Sequence, residues 1–294
     1  MCLLVLAWQA HPRYRLVVAA NRDEFHERPT APLARWPAPD EVLAGRDLRA
    51  RGTWLGLDRR RRFGVITNFR ELQPRRPDAP SRGLLIPEFL RGRDERDHEG
   101  ERDDGGGRDQ GRGTGLGRSG EDDPSGRPSA EAYLRRLEAE ASHYAGFNLL
   151  LADEDSLWYA SNRSEGFARP LPPGVYGLSN EFLDTPWPKL KRVRQRFDAW
   201  LSVPGQASPA ELFALLDDRT RVGTDEELPK TGIAPEWERV LSAPFVQHPD
   251  YGTRCSTVLL LEPSGAGYLA ERRFDARGVQ QGQTEFSLAA GEWP

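Results

Sequence analysis

Sulfur is scarce in this chain, which holds two cysteines and one methionine among 294 residues. Two thiols cannot build a disulfide framework or a cysteine-rich zinc module, so neither staple is available to the fold. Lysine is almost as rare: Lys189, Lys191 and Lys230 are the only three among 41 basic side chains, which reads as a coding preference for arginine. The 45 acidic residues outnumber the basic ones, for a formal net charge of -4. No positive field is left to hold phosphates, so Arg59 to Arg62 is read as a solvated turn and no nucleic-acid partner is expected. Long apolar runs are missing too. Leu3 to Trp8 is short, lacks a basic segment before it and is soon interrupted by His11, Pro12, Arg13 and Arg15. It suits neither a signal peptide nor a membrane span, so the expectation is a reduced, cytoplasmic compartment without stable membrane insertion. The five histidines, His11, His26, His98, His143 and His248, show no paired ligand spacing, and His26-Glu27 lacks the second histidine of a zinc-hydrolase helix. No metal is expected.

What is present is enough apolar residue, 37% of the chain, for one medium-sized domain spanning 1–294. Leu3 to Gln9 and Tyr14 to Ala20 read as two strands, apolar on both faces and therefore sandwiched between layers. Trp54 to Leu57 and Phe63 to Asn68 read as a second hairpin, and Arg82 to Leu90 as a short helix. Between Arg91 and Ser129 the composition breaks, with 8 Arg, 11 Asp or Glu, 11 Gly and only Leu116 from the apolar set. Such a segment cannot bury enough surface to offset its ordering entropy, so 91–129 is expected to be a disordered insertion. Its Gly113-Thr114-Gly115-Leu116-Gly117 lacks the strand and helix that a phosphate loop needs. Ala130 to Tyr144, Trp187 to Leu201 and the segment opened by the capping box Ser208-Pro209-Ala210-Glu211 read as helices. Phe147 to Ala152, Leu157 to Ser161, Val175 to Leu178, Thr253 to Leu261, Gly267 to Phe274 and Thr284 to Leu288 read as strands. That order suits a layered α+β domain. Leu228 to Gly232 is read as a loop rather than a sorting signal, and Asn162-Arg163-Ser164 as a sequon without meaning in a cytoplasmic chain.

The start of the chain carries the clearest chemistry. A small residue at position 2 permits removal of Met1, which would leave Cys2 with a free α-amine beside its own thiol. The amine titrates near ~8 and the thiol near ~8.5 in peptides, so one residue can supply both nucleophile and base. The plain alternative is that Cys2 is a small apolar residue opening a strand. Polar clusters expected at strand ends supply partners: Asn21-Arg22-Asp23-Glu24-Phe25, Thr67-Asn68-Phe69-Arg70-Glu71, Gly177-Leu178-Ser179-Asn180-Glu181 and Tyr251-Gly252-Thr253-Arg254-Cys255-Ser256-Thr257. Asparagine amides are suitable oxyanion donors, and Arg22 or Arg254 could hold a thiolate or a carboxylate.

These clusters, with Met1-Cys2, Arg28-Pro29-Thr30, Gly45-Arg46-Asp47-Leu48, Gly52-Thr53-Trp54-Leu55-Gly56, Ser81-Arg82-Gly83 and Pro186-Trp187-Pro188-Lys189, resemble the NRDE family, also called the transport and Golgi organization protein 2 family. The likeness runs from Met1 to about Phe274. It implies an N-terminal-nucleophile hydrolase fold, a four-layer αββα sandwich, with Cys2 as nucleophile. A more distant likeness to penicillin V acylases and bile-salt hydrolases implies that Arg22 orients or activates the thiolate, that Asp23 bonds the α-amine, and that Asn68 and Asn180 form the oxyanion site. Arg254 completes the catalytic set, and Asn21, Glu24, Trp54 and Arg70 are expected to contact substrate. The roles of Asn21, Arg22 and Asp23 stay interchangeable at this point. The implied activity is amide hydrolysis or acyl transfer on a small linear amide or acyl compound, with no cofactor required. The family likeness also carries a non-enzymatic alternative: binding and trafficking of haem or of acyl-CoA and lipid.

Overall fold

A computed structural model of the protein describes residues 2–38, 40–72, 78–91, 127–203 and 208–294. Most of the expected insertion, 92–126, lies outside the described residues. The remainder is mixed α+β, built on two antiparallel sheets.

The first sheet contains β1 (Cys2–Trp8), β2 (Leu16–Phe25), β10 (Gly174–Leu178), β11 (Tyr251–Leu261), β12 (Gly267–Phe274) and β13 (Gln280–Leu288), in the order β10-β1-β2-β11-β12-β13. The second contains β3 (Thr30–Arg35), β4 (Val42–Asp47), β5 (Leu55–Asp58), β6 (Phe63–Asn68), β7 (Phe147–Ala152), β8 (Leu157–Ser161) and β9 (Ala168–Pro170), in sequence order. Alternation along each strand sends its residues into two different cores. In β2, Leu16, Val18 and Ala20 enter the space between the sheets, where they meet Leu57, Phe63 and Leu150 of the facing sheet. Val17 and Ala19 point outward, under α3 (Pro188–Leu201) and α4 (Pro209–Leu216), onto Leu190, Phe197 and Leu212. The outer face of the second sheet is covered in the same way by α1 (Leu85–Arg91) and α2 (Ala130–Glu138). Both faces of β1 from Leu3 and of β2 as far as Ala20 are therefore dry, which is why neither stretch shows a polar alternation. Each such leucine contributes about 1.5–3 kcal/mol.

Several boundaries differ from the sequence reading. The segment Asn21–Phe25 does not follow β2 but continues it, because β11 pairs with it as far as Tyr251↔Phe25. The helix expected over Ala130 to Tyr144 stops at Glu138 and resumes as a single turn, Ala141–His143. β3, β4, β9 and α5 (Pro235–Val240) were not foreseen. β3 carries Pro32 and forms an edge of its sheet, with a register shift between Ala31 and Ala34. A proline there costs no ladder bond, but it hides the strand from pattern reading. Among the described residues no helix is long and apolar enough to cross a membrane.

Candidate functional site

Strand ends from both sheets meet around the first residues of β1. Cys2 opens that strand with its backbone paired to Arg22, and Arg22 pairs on its other side with Cys255. β10 ends at Leu178 opposite Leu4, so Ser179 and Asn180 leave the sheet at the end where β1 begins. In the facing sheet β6 ends at Asn68. Asn180 Nδ2 donates to the Asn68 carbonyl at 2.9 Å, the Arg70 amide donates to the Asn180 carbonyl at 2.7 Å, and Thr67 Oγ1 donates to the Ser179 carbonyl at 3.0 Å. These bonds hold the two sheet ends at a fixed separation. The Asn68 side chain itself is exposed and makes no hydrogen bond among the described residues.

The strand continuation of Asn21–Phe25 divides its side chains between two faces. Arg22 and Glu24 face the gap between the sheets. The Arg22 guanidinium lies 4.4 Å from the Trp54 ring, donates to Thr30 Oγ1 at 3.5 Å, and stands 3.6 Å from Glu24 and 3.8 Å from Asp47. Its side chain is only 6% exposed. Among the described residues it makes no polar contact shorter than 3.5 Å, and a buried guanidinium with five donors held this way is well placed to receive a ligand oxygen. Asn21 and Asp23 face the helices. Asn21 donates to the carbonyls of Leu216 and Pro244 at 2.9 and 3.0 Å and accepts from Ser256 Oγ at 2.6 Å, so its amide ties β2 to the end of α4. Asp23 accepts from Thr253 Oγ1 at 2.7 Å. Burial raises its carboxyl above the ordinary range, against the opposing charges of the amino terminus, Lys189 and Arg22.

Arg254 sits at the irregularity where β11 shifts register. It donates to the carbonyls of Phe25, His26 and Arg28 at 2.9, 3.2 and 3.1 Å, which holds the turn after β2. Burial and the charge of Arg22 pull its pKa down. Arg70 is committed to Glu238 at 2.7 Å and lies 4.6 Å from the Trp187 ring. The structure therefore gathers Cys2, Arg22, Glu24, Trp54, Asn68 and Asn180 at one end of the sheets. Asn21, Asp23 and Arg254 support that end from behind or from the side.

A cleft opens over this end in two lobes that share Glu24, Phe25 and Asn68. The polar lobe, about 420 Å³, is lined by Arg22, Arg28, Asp47, Arg49, Trp54 and Arg82 among others. Arg28 Nε meets Asp47 Oδ2 at 2.6 Å. Although burial works to raise the Asp47 carboxyl, the Ala50 amide and Arg28 outweigh it and hold the group below its usual range. The apolar lobe, about 390 Å³, has Phe69, Ile233, Trp237, Leu241 and Tyr251 in its wall, with Asn180 and Arg70 at its inner side. Arg28 and Asp47 stand in segments that carry the family likeness, which is the signal that would have singled them out. Ile233 and Trp237 had no such signal, since α5, which carries Trp237, is only six residues long and Ile233 lies in the bend before it.

The comparisons with known proteins agree with the motifs. A family model described as Transport and Golgi organisation 2 matches residues 1–276. A Transport and Golgi organization protein 2 homolog of Bos taurus is 33% identical over 92% of this chain and 92% of its own length. The Mus musculus homolog is 30% identical over 98% of this chain and 99% of its own, and the Drosophila melanogaster protein 26% identical over 92% and 91%. The motifs quoted above, the helix-covered sheet pair that carries them and a match over almost the whole chain make this protein a member of the Transport and Golgi organisation 2 family.

Proposed function

We propose that the protein is an amidohydrolase or acyltransferase of the N-terminal-nucleophile type, with Cys2 as nucleophile. The observation that carries this reading is the placement of Cys2 at the head of β1, with its backbone against Arg22, where the sheet ends bearing Asn68 and Asn180 converge. Two sheets packed face to face between helices support the same reading at the level of architecture.

In this mechanism removal of Met1 frees the Cys2 α-amine, which takes the thiol proton. The thiolate attacks the substrate carbonyl carbon, and the oxygen that becomes negative is met by the Asn68 amide. Arg22 favours the thiolate by its charge. Asp23, the next residue along β2, holds the α-amine. Collapse breaks the C–N bond, the leaving amine takes the proton from the α-ammonium, and a thioester remains on Cys2. Water then releases the acid, or a second nucleophile receives the acyl group.

The test is intact mass after exposure to an activated acyl ester. Protein lacking Met1 should gain one acyl group, mapped to Cys2, and Cys2→Ala should gain none while keeping its circular dichroism. Turnover unchanged in Cys2→Ala sinks the reading.

The apolar lobe favours a second reading, stoichiometric binding of acyl-CoA or a related lipid, which would survive Cys2→Ala. Haem fits less well. Among the described residues none lining that lobe is His, Cys or Met, and the Tyr251 hydroxyl donates to the Asp23 carbonyl at 3.0 Å, so these residues offer no axial ligand.

A further inference from the structure

The two lobes differ in chemistry, and Asn68 stands at their junction. A substrate whose scissile carbonyl reaches Asn68 must extend one end into each lobe. In the apolar lobe Trp237 and Tyr251 meet edge to face at 6.2 Å, and Phe25 meets Tyr251 edge to face at 5.1 Å. Phe25 is 49% exposed, and Leu72, 65% exposed, lies within reach of Gly232, next to Ile233. Apolar surface left this open beside a polar junction suits an apolar group rather than further packing of the fold.

The polar lobe is charged but nearly balanced. Arg22, Arg28, Arg49 and Arg82 face the carboxylates of Glu24, Glu27 and Asp47; the Asp23 carboxylate, bonded to Thr253, points to the other face. Arg28 is committed to Asp47 at 2.6 Å, and Arg82 donates to the Gly146 carbonyl at 2.7 Å. That leaves two guanidiniums for a ligand. Arg22 is nine-tenths buried and, among the described residues, makes no polar contact shorter than 3.5 Å. Among the described residues the Arg49 guanidinium meets only Glu27, at 3.7 Å, and it stands at the mouth, where Asp47 Oδ1 accepts from the Arg49 backbone amide at 2.9 Å and fixes the loop. Four cations against three carboxylates favour a single negative charge; a dianion would meet three carboxylates for one surplus cation.

Resting on the hydrolase reading above, we infer that the substrate is an N-acyl amino acid. Its apolar acyl group lies along Trp237 and Ile233, its amide carbonyl lies at Asn68, and the carboxylate of the amine half is held by Arg22 and Arg49. Cys2 takes the acyl group, the C–N bond breaks, and the free amino acid leaves through the polar lobe. Glu24, which borders both lobes, marks the crossing point.

The probes are N-octanoylglycine, N-acetylglycine, N-octanoylethanolamine and N-octanoyl-O-phosphoethanolamine, incubated with the full chain lacking Met1. The expected result is a kcat/KM for octanoylglycine at least tenfold above each of the others. Trp237→Ala and, as a second variant, Ile233→Asp should each reduce the octanoyl-over-acetyl ratio to under threefold, and Arg49→Gln should narrow the glycine-over-ethanolamine ratio. Equal turnover of acetylglycine or of the ethanolamide overturns the inference, as does preference for the phosphate. If none of the four is cleaved, calorimetric binding to Cys2→Ala decides. Octanoylglycine bound tenfold more tightly than the other three upholds the substrate class and removes the hydrolase reading, whereas no such preference overturns the class as well.

Discussion

Arg62 Nε meets Asp58 Oδ2 at 2.8 Å, with both side chains almost fully buried. The same guanidinium donates to the carbonyls of Phe89 and Leu90 at 2.5 and 2.7 Å and to the Pro128 carbonyl at 2.9 Å. One side chain on the β5–β6 turn thus grips the end of α1 and the approach to α2. Leu90 and Pro128 are held within the span of a single guanidinium, on either side of 92–126.

Replacing 92–126 by a short Gly-Ser linker should therefore leave the fold intact. Shortening a closed loop lowers its closure entropy by only about 1–2 kcal/mol, so the thermal midpoint should stay the same or rise by a few degrees. Arg62→Met leaves Asp58 buried without its main partner and should cost about 3–5 kcal/mol in urea unfolding. A linker variant that fails to fold would show that the ends are not held by these bonds alone.

A second prediction concerns the floor of the cleft. A Cβ on Gly45 would lie 2.3 Å from Trp54 Cη2 and Cζ2, so the indole under Arg22 occupies the space that a side chain would fill. Gly45→Ala should displace the ring, cost about 1–3 kcal/mol and lower acyl transfer through the loss of Arg22 positioning. The urea midpoint and the acylation rate of Cys2 are the readouts. An unchanged midpoint together with an unchanged rate would show that Trp54 does not set Arg22.

Two carboxylates give stability contributions of opposite sign in pH. Burial pushes Glu271 up from its ordinary value of 4.5, against the Leu33 amide, Cys255 and the arginines Arg273 and Arg22. Its native form keeps the proton to higher pH than the unfolded chain does. Its contribution is therefore fully present below about 4.5 and is lost as pH rises through the folded value. Glu271→Gln should gain stability relative to the parent between pH 4 and 7. Asp47 is held below its ordinary 3.8, so its contribution is present above that value and lost as pH falls through the folded one. Asp47→Asn should cost about 1–2 kcal/mol at pH 7, with a deficit that shrinks toward pH 3. Urea titrations of the three proteins at several pH values check both signs.

Much of the strand pattern was legible locally. β1, β6, β7 and β8 announce themselves by short apolar runs between turn residues, and Ser208 does cap α4, though by accepting from the Ala210 amide at 3.2 Å rather than from the Glu211 amide as a capping box would. β3 was hidden by Pro32, and α5 by its length. The extension of β2 through Asn21–Phe25 was illegible for a different reason. Its polar residues read as a strand end, and only pairing with β11, whose Thr253 lies opposite Asp23 and 230 residues away, keeps them in the sheet.

The sequence by itself determined which residues carry reactive groups, that the core is apolar on both faces of its central strands, and which family the motifs belong to. Each follows from side-chain type or from short-range periodicity. Only the tertiary structure decided that Arg22 and Asp23, neighbours in the chain, serve opposite faces, and that Asn68 lies between a charged lobe and an aromatic one. The walls of that cleft come from Trp54, Asn68, Trp237 and Tyr251, which no local pattern relates. They are neighbours because two sheets and their covering helices pack in one register, and that register is set by burial summed over the whole core.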